Sequence, residues 1–397
     1  MNKIFCDNHI RYIGRFNGDY LPKYYNFNTF EVDIDHLSKF SENIDQICED
    51  LDNNKDLELN VALGWISNGN IFTYLVHNSI KITSLKIERL EKLKKLKKMK
   101  DKKLKIKPES FIFNPEWRQN YKSLKDFDTN FNDDKEKKNA EKHLQKGIKK
   151  LSNLQDKLYA NDKYSVLIIF QALDAAGKDG TVKHVMSGVN PQGCQVSSFK
   201  SPSAEELDHD YLWRCIKELP ERGRIGIFNR SYYEEVLVTR VHPEFLSKQK
   251  LPNIQLDSNQ DQKFWNQRFE DIRNFEKYLT NNGTIILKFF LNVSKDEQKA
   301  RLLERINDPE KNWKFSLNDL NERKLWDNYM VAYEDMFKNT STDYAPWYIM
   351  PADNKWYLHT AISEIINDKL KSLDLNYPVI NDEQKANLLL AKNILEK

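Results

Sequence analysis

Between residues 160 and 372 the chain alternates short continuous apolar runs with longer stretches whose apolar residues recur at helical spacing. Val166–Phe170 (VLIIF) is an unbroken apolar run, the signature of a strand buried on both faces. Gln195–Phe199, Arg224–Phe228, Thr284–Val293 and Trp347–Met350 read as four further strands. Helices are expected over 134–160, 261–281, 294–306, 317–338 and 355–372. Another starts at Ser203, where Glu206 three residues on completes a capping box. Strands alternating with helices predict an α/β fold, a parallel sheet covered on both faces.

Upstream the texture differs. Residues 1–80 are rich in Asn and Asp, and two apolar runs within Val61–Val76 flank Ser67-Asn68-Gly69-Asn70, predicting a hairpin. Residues 81–107 predict a Lys-rich helix ended by Pro108, with Leu90, Leu93, Leu96 and Met99 on one face. The expected organisation is an N-terminal extension over 1–80, a basic helical linker over 81–121, a catalytic domain over 122–372 and a tail over 373–397.

Charge sharpens this division. The whole chain of 397 residues carries a formal net charge of only +3, yet residues 81–107 hold 13 Lys/Arg against 3 Asp/Glu. That block is +10, which leaves the other 370 residues at −7. A generally basic, nucleic-acid-coating protein is therefore excluded, and the block, which has no Trp or Tyr, lacks the aromatic residues that base stacking uses. It is open to reading as a solvated or helix-packing face, a dock for a polyanionic substrate, or a contact for nucleic acid or an anionic membrane surface. No run of 18 apolar residues predicts a membrane span, and Met1–Tyr20 has no apolar signal core. Four cysteines without CxxC spacing suit a reducing compartment, and a cytoplasmic location is expected.

The chemistry gathers after the first strand. Ala172-Leu-Asp-Ala-Ala-Gly177-Lys178-Asp179-Gly180-Thr181 approximates a phosphate loop, GxxxxGK[ST], between strand and helix. Backbone N–H groups from Ala175, Ala176 and Gly177 through Thr181 would face phosphate oxygens, Lys178 would add mobile charge, and Gly177 permits close approach. Two departures stand out: Ala172 replaces the first Gly, and Asp179 fills the Ser/Thr slot. Magnesium must then be held otherwise, with Asp174 the first candidate. Arg230, where the third strand ends, could fork onto phosphate, with Glu234 one helical turn further along. Arg240 ends an apolar-rich helix, where balancing the helix dipole is the alternative role. Lys183 and His184 read, from the residues alone, as a solvated lysine and a structural histidine. The Pro-broken segment Arg301–Phe315 suits a lid, while Trp326, Tyr329 and Tyr333 read as core.

FQALDAAGKDGT, GVNPQGCQVSSFKSPSAEELDHDYLWR, RIGIFNRSYYEEVLVTRVHPE and RINDPEKNWKFSLNDLNERKLWDNY together resemble the polyphosphate kinase 2 family, over about Leu124 to Leu370. The resemblance implies a three-layer α/β/α P-loop kinase fold with a helical lid. It implies magnesium-assisted transfer of phosphate between inorganic polyphosphate and AMP, ADP or ATP, and a homo-oligomer, dimer or tetramer. By the same resemblance Asp174, Lys178 and Arg230 are catalytic, with Asp174, and Glu234 as a second candidate, holding Mg2+. Residues 175–177, Asp179, Gly180, Thr181, Lys183, Glu234 and Arg240 would bind phosphate or nucleotide, and Arg301, Arg305 and Lys314 would form the basic face of the lid. The variant NRSYYEE, with Asn229 where many members carry Asp, resembles the subgroup that phosphorylates AMP as well as ADP. An ATP-dependent nucleotide kinase on the same scaffold and a non-catalytic polyphosphate-binding protein are the competing expectations.

Overall fold

Seven residues, Ser165–Gln171, form strand β1 at the centre of a five-stranded sheet, all seven buried. The structure, a computed structural model, describes residues 106–114, 123–131, 137, 139–252 and 261–396, plus the backbone of seven short strands within the first 76 residues. It divides into two units, Met1–Lys103 and Leu104–Lys397. In the first, Asn2–Cys6, His9–Ile13 and Tyr24–Asn26 form an antiparallel sheet, and Arg15–Phe16 pairs with Asp19–Tyr20. Val61–Ser67 pairs with Asn70–Val76, with Ser67 opposite Asn70, the hairpin that the Asn-Gly pair predicts. The Lys-rich helix expected over 81–107 lies, up to residue 105, outside the described residues.

In the second unit β2 (Cys194–Ser198), β3 (Ile225–Asn229), β4 (Thr284–Asn292) and β5 (Trp347–Pro351) join β1 in the order β5-β4-β1-β3-β2, every neighbouring pair parallel. The alternation of side chains across β1 sets the layers. Val166, Ile168 and Phe170 pack toward α1 (Ala140–Asn161) and α8 (Lys355–Lys371), against Leu151, Leu158, Ile362 and Ile366. Leu167 and Ile169 face the opposite way, into a cluster with α3 (Glu234–Val241), α4 (Gln262–Asn281) and α7 (Trp326–Thr340). The result is the expected three-layer α/β/α sandwich. The expected strands match within one or two residues at each end.

Two helical stretches differ from expectation. The run over 317–338 is two helices, α6 (Asn318–Lys324) and α7, parted at Leu325, whose backbone leaves the helical region. Trp326, Tyr329 and Tyr333 are core residues of α7. Residues 106–114, read from sequence as linker, pack on the sandwich: Phe113 is fully buried and its N–H donates to the Trp347 carbonyl at 2.9 Å. In the tail, α9 (Asp382–Leu395) has no buried residue.

Candidate active site

In an open parallel sheet, ligands bind beyond the carboxyl ends of the strands, where crossovers diverge. Here β1 and its neighbour β3 end side by side, with Asn229 opposite Phe170. From β1 the chain enters the glycine-bearing loop and α2 (Lys178–Val185). From β3 it enters a turn and α3. The two loops supply the site.

The first loop is held in an unusual backbone shape. Ala175 sits at φ +61° and Gly177 at φ +104°. Gly177 is required by that φ, which side chains with a Cβ rarely adopt. Gly180, by contrast, has open space around its Cβ position. Beneath the loop lies α5 (Lys295–Asn307), and its buried Arg301 donates from Nη1 to the carbonyls of Ala175 (3.3 Å) and Ala176 (2.8 Å) and from Nη2 to those of Ala352 (2.6 Å) and Asp353 (3.1 Å). Gln298, one turn earlier, donates to the Asp174 carbonyl at 3.0 Å. Arg301 therefore props the loop against the end of β5 and does not join the basic face of the lid as expected from sequence. Its position on α5 faces inward, so its charge goes to orphan loop carbonyls.

The charged groups of the two loops meet. Arg230, itself at φ +63°, donates to Asp174 Oδ1 at 3.1 Å and lies 3.8 Å from Glu234 Oε2. Lys178 folds back over its own loop, donating to the Ala172 carbonyl at 2.8 Å. Burial, and then Arg230, pull the Lys178 ammonium down from its usual range, opposed by Asp174, Glu234 and Asp179. Burial pushes the Glu234 carboxyl up, opposed by Arg230 and Lys178. Arg230 is raised chiefly by Glu234 and is charged at every working pH. The site is thus a compact alternation of charges, Asp174, Arg230, Glu234 and Lys178, at a helix N-terminus.

Asp179 in the phosphate loop and Asn229 at the end of β3, one departure from each motif, meet. Asn229 Nδ2 donates to Asp179 Oδ1 at 2.8 Å, so the residue in the Ser/Thr slot is tied to the residue that replaces the second Asp. Thr181 is fully buried and its Oγ1 donates to the Gly177 carbonyl at 3.0 Å, which already engages its one hydroxyl proton. Lys183 is exposed on the last turn of α2. Arg240 pairs with Asp335 and lies over the Trp265 ring, 5.5 Å from its centroid, an anchorage of α3 to α7 and α4. Of the residues expected in a lid, Arg305 lies 3.7 Å from Asp319 at α6, and Lys314 lies over the exposed Trp313 ring. Burial and the Asp174 charge push the Asp319 carboxyl up, while Arg305 and Arg230 act against that rise, so this pair stands within the field of the loop.

Sequence reasoning missed Gln171. It closes the apolar run of β1 and is fully buried. With its amide nitrogen turned to Glu234, it donates to Oε1 at 2.9 Å and accepts from the Ser231 hydroxyl and N–H. A polar residue ending an apolar strand at the ligand edge was the available signal. Among the described residues no three His, Cys, Asp or Glu side chains converge on a metal position. Asp174 and Glu234 are nonetheless hard oxygen donors on one arginine, a set that suits Mg2+, which takes one or two carboxylates and completes its shell with water and substrate phosphates.

A parallel α/β/α sandwich with a lysine-bearing phosphate loop, an arginine on the next loop and a helical segment beside them defines a phosphate-loop phosphotransferase. The model of the family "Polyphosphate kinase 2 (PPK2)" matches residues 132–378, and the chain belongs to that family. It is 53% identical over 254 residues to the ADP-polyphosphate phosphotransferase of Rhodopseudomonas palustris, covering 64% of this chain and 87% of that one. It is 47% identical over 230 residues to the AMP/ADP-polyphosphate phosphotransferase of Meiothermus ruber, covering 58% and 80%. The crystal structure of polyphosphate kinase 2 from Arthrobacter aurescens superposes with a TM-score of 0.61 at 37% identity, covering 70% of this chain and 98% of that one. The family match begins after the first unit ends.

Proposed function

We propose that the chain transfers phosphate between inorganic polyphosphate and adenine nucleotides, AMP and ADP, in a reversible reaction. The observation that carries this reading is the meeting of Lys178, Asp174, Arg230 and Glu234 at the carboxyl ends of β1 and β3, in a chain of this family. The acceptor is already an anionic phosphate, so no strong general base is needed. The obstacle is bringing two polyanions together, and catalysis is positioning plus charge neutralisation.

The residues divide that task. The first N–H groups of α2 lack partners inside the helix and receive phosphoryl oxygens. Lys178 exchanges the Ala172 carbonyl for an oxygen of the transferring group. Arg230 is aimed by Asp174 and Glu234 and holds the second phosphate chain. Arg305 and Lys314 approach from the lid and help exclude water, which would otherwise compete as acceptor. The bridging P–O bond at the end of polyphosphate breaks as the nucleotide oxygen bonds the same phosphorus. Asp174, with Glu234, would hold Mg2+, which neutralises phosphate charge when bound.

The deciding measurement supplies AMP or ADP with polyphosphate and Mg2+, without ATP, and follows ADP and ATP formation. Product is expected with both acceptors, and is lost with Lys178→Ala. Product only when ATP is the donor would favour a nucleotide kinase instead. Polyphosphate binding that survives Lys178→Ala but vanishes on deletion of residues 81–107, with no turnover, would leave only a binding protein.

A further inference from the structure

Three residues lie between Arg230 and Glu234 along the chain, and each of them is tied to the core. Ser231 bonds the Gln171 amide of β1. Tyr232 donates its hydroxyl to Glu276 Oε1 at 2.9 Å, and Tyr233 donates to the same oxygen at 2.7 Å. Glu276, on α4, and Lys288, on β4, are both fully buried and 2.7 Å apart. The Lys288 ammonium spends its three protons on Glu276, on the Tyr233 hydroxyl at 2.8 Å and on the Thr340 carbonyl at 2.9 Å. Thr340 is the last residue of α7, where carbonyls lack helical partners. Every member of the cluster is satisfied, and it joins the turn to α4, β4 and α7.

A fully buried ion pair of this kind gains little over apolar residues of the same volume, so stability alone gives weak reason for it. What it does supply is fixed geometry. The turn it holds contains Arg230 in the left-handed region, a conformation that persists only where the surroundings over-determine it. We infer that Lys288 and Glu276 are positioning residues: through the Tyr232 and Tyr233 hydroxyls they fix the turn that aims Arg230 and Glu234 at Asp174 and Lys178. This rests on the proposed phosphotransfer only for its kinetic consequence, since the geometric consequence is separately measurable.

The test replaces both charges together, Lys288→Met with Glu276→Leu, and separately makes Tyr233→Phe and Tyr232→Phe. The geometric readout is the crystal structure of each variant beside that of the wild type. Release of the turn should take Arg230 out of the left-handed region, where it sits at φ +63°, and break its 3.1 Å bond to Asp174 in the double variant. Tyr233→Phe should displace the turn to a smaller extent, and Tyr232→Phe least. The kinetic readout is a fall in kcat of about ten- to a hundredfold in the double variant, with KM for polyphosphate and nucleotide shifted by less than about threefold. A folded double variant with Arg230 still in the left-handed region and bonded to Asp174, and kcat within twofold of wild type, overturns the inference. Should the double variant not fold, an undisplaced turn in both Tyr→Phe variants overturns it equally. An inactive wild type would sink the proposed function alone, because the position of Arg230 still decides the positioning role.

Discussion

Two ion-pair systems flank the same five-residue turn, and they obey different physics. On the inner side Lys288 and Glu276 are shut away from water entirely. On the outer side Arg230 and Asp174 keep 40% and 32% of their side-chain surface exposed. The outer pair is weak, screened and exchangeable, which is what the proposed phosphate site needs, because substrate oxygens would have to replace Asp174 as partner of Arg230 and the Ala172 carbonyl as partner of Lys178. The inner pair cannot exchange with anything. Rigidity inside lets looseness outside be accurate, so a wet site can still present charges in fixed places.

The sharpest way to break this comparison is to orphan one inner charge. Lys288→Met alone leaves Glu276 buried and uncompensated, and should lower unfolding free energy by about 3–5 kcal/mol in denaturant titration. The outer charges should behave oppositely. Lys178→Ala should reduce polyphosphate-dependent transfer by about 10²–10³-fold, and Arg230→Gln should also slow transfer while costing less than about 1 kcal/mol of stability. A large stability loss in Arg230→Gln would erase the distinction between the two pairs.

A third effect lies on the other face of α2. His359 is buried and stacks on His184 at 4.7 Å between ring centroids. Burial, and then His184, Lys355 and Arg301, hold its pKa down at about 4. Because the unfolded chain binds this proton near the ordinary 6.5, stability is whole above that pH and falls as pH drops toward 4. The loss approaches about 3 kcal/mol at most, at about 1.4 kcal/mol per unit. His359→Gln should flatten the melting temperature between pH 6.5 and 4. The smallest effect belongs to the tail: deletion of 378–397 should leave the melting temperature within about 1 °C, because α9 buries nothing in this chain.

Much of the fold was legible because strands buried on both faces leave unbroken apolar runs, and Val166–Phe170 and Thr284–Val293 could hardly be anything else. Ends and breaks were less legible. The parting of α6 from α7 at Leu325 interrupts a pattern that stays helical in spacing, and Phe113 reads as part of a linker until it meets β5. The loop residues Asp174, Gly177 and Lys178 were singled out by local spacing, since backbone N–H groups and the helix start act over a few residues. Arg301 was assigned to the right helix and the wrong task, because spacing along a helix does not reveal what lies beneath it.

The amino-acid order by itself determined the parallel sandwich, the phosphate loop and the family, through periodicity and contiguous motifs. Tertiary structure alone decided which charges share a site. Arg230 meets Asp174 across 56 residues, Asn229 meets Asp179 across 50, and Arg301 meets Ala176 across 125. The physical reason is that Coulomb and hydrogen-bond energies depend on distance in space and on burial, and neither is written in separation along the chain. The Lys288–Glu276 pair is the clearest instance: in sequence it is a lysine in an apolar strand and a glutamate in an amphipathic helix, and only packing turns them into the footing of a turn.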